Sequence, residues 1–258
     1  MQRVFGTVGA IAGLAAAQPV AANDVSDQGA ENWDGLVEFS ASSATGNTEN
    51  TVLGLRAEAR RILGRYSHAL TGAANYARAT TTDDTGEEFT EDTQNNFFAQ
   101  YRLDVQVADK TSYFTRVRYD QDEFSGFDQR AFVGAGVSHY FVEREDIAFQ
   151  SSLGPGVRYT KLDPATLDPG EDGSLVEFAV FAGTEFDWVP RENVTLEHDF
   201  DTTYTAENTT FVSLASVKTD ITETISTRLS FEVKHETDPP EGREATDTLL
   251  RASLGYGF

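Results

Sequence analysis

The sequence predicts an all-β protein: an antiparallel transmembrane β-barrel of twelve strands, ten to fourteen at the outside. Three observations carry this. Apolar and polar residues alternate with a period of two along most of the chain. The polar connections between the alternating segments are by turns short and long. The chain closes on Leu250, Ala252, Leu254, Tyr256 and Phe258, all of one parity, with an aromatic as its last residue.

The first element is not part of the barrel. Arg3 is the only charge before Asp24, residues 4–17 are apolar, and Val20, Ala21 and Ala22 supply the small residues of a cleavage site. This is the pattern of a secretory signal peptide over 1–22, leaving 23–258 as the barrel. Nothing later approaches the ~18 consecutive apolar residues that a spanning helix needs.

The strands follow. In 33–43, Trp33, Val37, Phe39 and Ala41 share one face, and Asp34, Glu38 and Ser40 the other. In 94–107, Phe97, Ala99, Tyr101, Leu103 and Val105 oppose Gln100, Arg102 and Asp104. The same alternation marks 51–62, 66–79, 112–121, 130–141, 147–160, 175–189, 194–204, 224–236 and 246–258. It is weakest in 209–218, where neither parity is clearly polar. Most segments exceed the ~5–6 residues of a globular strand and reach the ~9–11 of a spanning one. The competing architecture is a soluble periplasmic β-sandwich binding module, which also uses alternating strands.

Short connections fall at 63–65, 108–110, 142–144, 190–193 and 219–220. Between them come longer polar ones at 80–93, 122–129, 161–174 and 237–245. The 44–50 and 205–208 links fill the same alternate slots but are short. Outer-membrane barrels put short turns on the periplasmic side and longer loops outside, and an even strand number returns both termini to the periplasm. Aromatic residues gather near strand ends: Trp33, Tyr66, Tyr76, Tyr140, Phe141, Trp188, Tyr204, Tyr256 and Phe258. They suit the girdles at the two membrane interfaces.

Composition narrows the function. Twenty basic residues against 42 acidic ones give a net charge of −22 in 258 residues. Nucleic acid is therefore excluded as a partner, since phosphate binding needs a basic surface. With no cysteine there is no disulfide framework or thiol nucleophile.

Several motifs stand together: Trp33, Asp34 and Gly35; the run 43–48 with its Gly46, Asn47 and Thr48; Glu236, Thr237, Asp238, Pro239 and Pro240; Thr246, Asp247 and Thr248; and the ending from Leu254 to Phe258. On these residues the chain, over about 33–258, resembles a proteobacterial family of unknown function whose members are called salt-induced outer-membrane proteins. The resemblance implies an outer-membrane barrel and a link to osmotic or salt stress. It implies no catalytic residue and no ligand. The ending, with Leu254, Tyr256 and Phe258 on one face, also resembles the signal that barrel-assembly machinery reads on outer-membrane proteins.

The polar parity should line the lumen. Strands two to seven contribute Arg56, Arg60, Arg102, Arg116, Arg118 and Arg158. Strands eight and nine contribute Glu177, Glu185, Asp187, Glu197, Asp199 and Asp201, with no base among them. Closing the strands in order sets a basic arc against an acidic one. The lumen of twelve strands is then either a narrow cation-preferring channel for small ions or a plugged barrel. The expected surroundings are outer-membrane lipid and, during biogenesis, the assembly machinery.

An outer-membrane lipid-modifying enzyme is the alternative from another class. It needs a base beside a nucleophile. Only His68, His139, His198 and His235 exist; His198 falls on the lipid-facing parity, and no Gly-x-Ser-x-Gly occurs. No cofactor or metal ligand set is expected. The acidic runs 81–92 and 163–172 read as solvated loops that match no defined calcium loop.

Overall fold

The computed structural model describes residues 33–258 except 45–47, 83–87, 124, 165–166, 168–172 and 241–243. The expected signal peptide thus lies outside the described residues. Twelve strands run in order: β1 (Asp34–Ala44), β2 (Thr48–Leu63), β3 (Tyr66–Thr82), β4 (Glu88–Ala108), β5 (Thr111–Asp122), β6 (Phe127–Glu143), β7 (Ile147–Leu162), β8 (Ser174–Arg191), β9 (Val194–Tyr204), β10 (Thr209–Asp220), β11 (Ile225–Glu236) and β12 (Thr246–Gly257). Each pairs antiparallel with its sequence neighbours, and β1 pairs with β12, so the sheet is a closed barrel. Closure removes the open edges that a sandwich would keep, which overturns the two-sheet alternative. Among the described residues no helix is long and apolar enough to cross a membrane; in such a barrel the strands do the crossing.

The weakly patterned segment forms a full strand. β10 pairs along its whole length with β9 and β11. Its pattern is weak because small hydroxyl residues occupy both of its faces, yet only Ser216 and Lys218 are buried.

The strands outgrow expectation at the long-loop end. β4 has 21 residues, and its hairpin with β3 pairs as far as Thr82 and Glu88 across a register shift at Ala77 and Arg78. Twenty-one residues rise ~70 Å, against an apolar band ~25 Å tall, so the hairpin stands clear of the membrane. Part of the acidic run expected as a loop is therefore ladder. Its Asp92 accepts hydrogen bonds from Arg78 Nε and Tyr76 Oη, both at 2.8 Å.

Burial is inverted relative to a water-soluble protein. The enclosed side chains include Arg102, Asp104, Gln150 and Glu185, while Phe178 and Leu250 are each 68% exposed. The outward parity is an apolar surface, with Leu55, Leu70, Phe97, Val133, Leu153, Leu229 and Phe231 among its members. Such a surface is stable against lipid and costly against water.

The start of β1 and the end of β12 meet at the short-turn end. Gly35 and Phe258 exchange backbone hydrogen bonds at 2.9 and 3.0 Å, continuing the β1–β12 ladder. A Cβ on Gly35 would lie 2.2 Å from the Phe258 ring, so the glycine is the seat for the terminal aromatic. Leu254, Tyr256 and Phe258 all face outward. Deleting Phe258 is expected to cut outer-membrane levels in cells several-fold while leaving detergent refolding nearly intact. Immunoblotting of outer-membrane fractions beside a refolding assay checks this; equal cellular levels would refute it.

Trp33, Tyr66, Phe141, Trp188, Tyr256 and Phe258 form an exposed aromatic ring at the short-turn end, and Tyr204 lies at the other. Tyr140 does not join them. It is 4% exposed, because neighbours along a strand face opposite ways and Phe141 takes the outward place.

Candidate functional site: the charged lumen

The twelve charged residues singled out in the sequence all occupy the inward parity of their strands. Four of the six acids take an arginine. Arg102 Nη1 stands 3.5 Å from Glu185 Oε1, and Arg116 Nη2 3.1 Å from Asp201 Oδ2. These two bridges run from β4 to β8 and from β5 to β9, across the interior. Arg158 meets Glu177 at 3.6 Å on the adjacent strand. Glu197 pairs with Arg228 of β11, which also holds Glu38 of β1 at 2.8 Å. The other arginines stay local: Arg56 pairs with Glu58 at 2.5 Å, Arg118 with Asp120 at 2.6 Å, and Arg60 Nε donates to Ser67 Oγ at 3.2 Å. Among the described residues Asp187 and Asp199 have no ion pair.

The middle of the lumen is filled. Arg102 donates to both oxygens of Asp104 at 2.8 and 3.0 Å, to Ser138 Oγ at 2.6 Å and to Ser152 Oγ at 3.2 Å, and lies 4.6 Å above the Phe114 ring. One side chain thus ties β4 to β6, β7 and β8. Phe114 meets Phe181 edge to face at 5.9 Å, Phe132 adjoins Phe181, and Arg116 stacks on Phe181 at 4.3 Å. Phe132 lies along a glycine wall: a Cβ on Gly134 or Gly156 would approach its ring to 2.5 or 2.6 Å. Water lining a channel would reach these side chains, yet Arg102, Phe181, Asp104 and Phe114 are no more than 2% exposed.

A second network lies toward the long-loop end. Glu236 accepts from Arg130 at 2.5 Å, from Asn208 Nδ2 at 2.8 Å and from Thr210 Oγ1 at 2.7 Å. Arg158 donates to Thr205 Oγ1 at 2.5 Å and to Asn208 O at 2.9 Å. Thr237 Oγ1 and the Asp238 amide both donate to Asn208 Oδ1. The 205–208 link is thereby bound to the barrel wall.

Charge reading alone missed part of the lumen. Arg130 and Lys218 are buried inward charges, and Phe114, Phe132 and Phe181 are inward aromatics. Parity was the signal available: Phe114 shares its face with Arg116, Phe132 with Arg130, and Phe181 with Glu185.

A family model described as a protein of unknown function, DUF481, matches residues 37–258. The chain belongs to the DUF481 family. The DUF481 barrel is 24% identical over 227 residues to the uncharacterized protein YdiY of Escherichia coli (strain K12), covering 88% of this chain and 83% of that one. It is similar in fold to an outer-membrane channel from Pseudomonas putida F1, with a TM-score of 0.50 and 10% identity over 92% of this chain and all of that one. At that identity the likeness is one of fold, that of an outer-membrane barrel. Two motifs of the DUF481 chain now have physical reasons. Gly35 seats Phe258, and Glu236 with Asp238 anchors Asn208.

Proposed function

We propose that the chain is an outer-membrane barrel of a Gram-negative bacterium, exported by its 1–22 signal peptide and inserted into lipid by barrel-assembly machinery, with a lumen plugged at mid-height. The supporting observation is Arg102, 1% exposed and bound to residues of four strands. Removing the plug should give a cation-preferring conduit, because among the described residues Asp187 and Asp199 add negative charge outside any ion pair.

Planar-bilayer conductance tests this reading. Refolded wild type is expected to be silent, and a Phe114, Phe132, Phe181 triple alanine variant to show single-channel steps. Replacing Glu185, Asp187 and Asp199 by amides in that background should reduce cation preference, most at low salt, where screening is weakest. Steady wild-type steps would favour the narrow channel instead; a folded but silent triple variant would refute the plug.

The enzyme alternative rests on one contact, His198 Nε2 at 3.0 Å from Ser213 Oγ on the outward face. The other three histidines repeat it with Tyr101, Thr111 and Thr246. Pairing with a hydroxyl on the next strand is thus how this barrel satisfies an outward imidazole in lipid, which argues for a non-enzymatic protein. Phospholipid hydrolysis in mixed micelles, lost in His198→Ala, would reverse that. A role in salt stress is proposed on the family resemblance, and poorer growth of a deletion strain at high salt is its test.

A further inference from the structure

The barrel closes through β1 and β12, but that seam is laddered only toward the short turns. Its register partners run from Leu36 and Gly257 to Phe39 and Leu254, and Gly35 with Phe258 adds one exchange below them. On their other edges both strands pair fully: β1 with β2 from Asp34 to Ala44, and β12 with β11 from Thr246 to Tyr256. Carried on, the β1–β12 register would set Ser40 to Ala44 against Ser253 to Leu249. Among the described residues none of these pairs forms. Every other ladder stops where one of its strands ends; here both strands run on. The Gly35–Phe258 exchange fixes which residues point N–H and C=O across the seam, since such pairs recur at every second residue. Ala41, Ser43, Leu250 and Ala252 are thus left without a ladder partner on that side.

The gap stands at membrane depth. Outside it Phe39, Ala41, Leu250 and Ala252 are exposed, as are Leu53 beside Ala41 and Phe231 beside Leu250. Inside it Ser40, Gly54, Asn75 and Asn96 form one register row across β1 to β4. Arg251 of β12 reaches over that row. Its Nη2 donates to Asn75 Oδ1 at 2.5 Å, and a Cβ on Gly54 would lie 3.3 Å from its Nε, so the glycine leaves room for the crossing. Asn75 in turn donates to Asn96 Oδ1 at 2.8 Å. Arg251 is half-buried and has no ion pair among the described residues. Of the acids that act on it, Glu38 is held by Arg228, and Glu232 on β11 stands beyond ion-pair distance. Unpaired backbone groups and a guanidinium are both costly against hydrocarbon. The gap therefore joins apolar lips outside to a cationic, hydrogen-bonding floor inside.

We propose that the long-loop half of the lumen opens sideways between β1 and β12 and takes a phosphate-headed lipid through the gap, its head beside Arg251 and its acyl chains left in the hydrocarbon outside. This rests on the outer-membrane barrel reading but not on the plug, which ties other strands. The occupant follows from the two sides of the gap. A phosphate supplies the ion pair that Arg251 lacks, and a guanidinium fork suits it. Acyl chains match Phe39, Ala41, Leu250 and Ala252. An inserted peptide strand would meet the free edges yet leave the arginine's charge unanswered. Water would satisfy the polar floor but not the apolar lips.

The test has two arms. The first reads the gap by cysteine cross-linking, clean because the chain has no cysteine of its own. Leu36→Cys with Gly257→Cys, partners in the laddered part, should form a disulfide quickly under mild oxidation. Ala44→Cys with Leu249→Cys, which would be partners in a full ladder, should form it many-fold more slowly. Equal rates mean a closed seam and overturn the proposal. The second arm reads the occupant. The barrel is refolded into phosphatidylglycerol vesicles doped with phosphatidylglycerol that carries a diazirine at the head end of one acyl chain. After illumination the adducts are mapped by mass spectrometry. Adducts are expected on outward Phe39 and Leu250 and also on inward Ser40, Asn75 and Ser253. Arg251→Gln should cut the inward adducts several-fold and leave the outward ones unchanged. Outward adducts alone in wild type overturn the lateral site while supporting the membrane barrel. Absence of both from a refolded barrel refutes the membrane reading itself. Inward adducts that survive Arg251→Gln at wild-type level overturn the placement of the head, and the cross-linking rates still decide the gap if that variant fails to refold.

Discussion

Arg102→Met is expected to lower the unfolding free energy of the barrel by about 3–5 kcal/mol, the usual cost of stripping one partner from a buried ion pair. The variant leaves Asp104 and Glu185, 2% and 4% exposed, without their arginine. Removing the acids as well, in Arg102→Met, Asp104→Leu, Glu185→Met, should recover much of the loss, since an apolar replacement of a whole buried network is often near neutral. Arg78→Met is the internal contrast. Its bridge to Asp92 is about half exposed on both sides, and such solvent-screened pairs contribute little. Denaturant unfolding in lipid vesicles, followed by the fluorescence of Trp33 and Trp188, measures all three. If Arg102→Met costs no more than Arg78→Met, Arg102 is not what ties the strands together.

Gly136→Ala is expected to disrupt the seam between β6 and β7 and to cost at least about 1–3 kcal/mol, as overpacking does. A Cβ on Gly136 would lie 2.2 Å from Leu153 O and 2.7 Å from Gly154 Cα, and a Cβ on Gly154 would lie 2.2 Å from Ala135 O. Those are backbone atoms, so a strand must move. Register pairs are missing here between Gly134–Gly156 and Val137–Leu153, and Pro155, which has no N–H to give the ladder, sits in the gap. Two glycine backbones approaching closely hold the seam instead. Gly64→Ala acts differently. Gly64 has open space around it and φ of 58°, so its cost is conformational alone. Heat-modifiability on gels and unfolding midpoints separate the two; a wild-type midpoint for Gly136→Ala would show that the close approach relaxes freely.

The architecture was legible in the sequence because its signal is local. A period of two decides which side chains share a face, and the alternation of short and long connections decides which ends meet. Twelve segments read this way correspond to β1–β12, with differences of a few residues at the long-loop ends. The long-loop ends extend furthest at the 80–93 connection, where threonines and acids form ladder that composition marks as loop. Parity also carried the inward lists of charges.

What parity could not decide is which charge meets which. Arg116 and Asp201 are 85 residues apart, and Arg228 and Glu38 are 190 apart. Such pairs depend on how a strand number of twelve curves the sheet and how far each side chain reaches across it. The same holds for the aromatic cluster in the lumen. Phe114, Phe132 and Phe181 alternate along their strands like any aromatic, and only closure brings the three rings together beneath two guanidinium groups. Asp187 and Asp199 are indistinguishable in sequence from the four acids that found arginines. Their isolation arises because β8 and β9 bury no arginine or lysine, and the arginines that reach these strands from elsewhere end at Glu177, Glu185, Glu197 and Asp201. Sequence periodicity thus determined the wall of this barrel, and three-dimensional closure decided what fills it, because contacts across a lumen have no period along the chain.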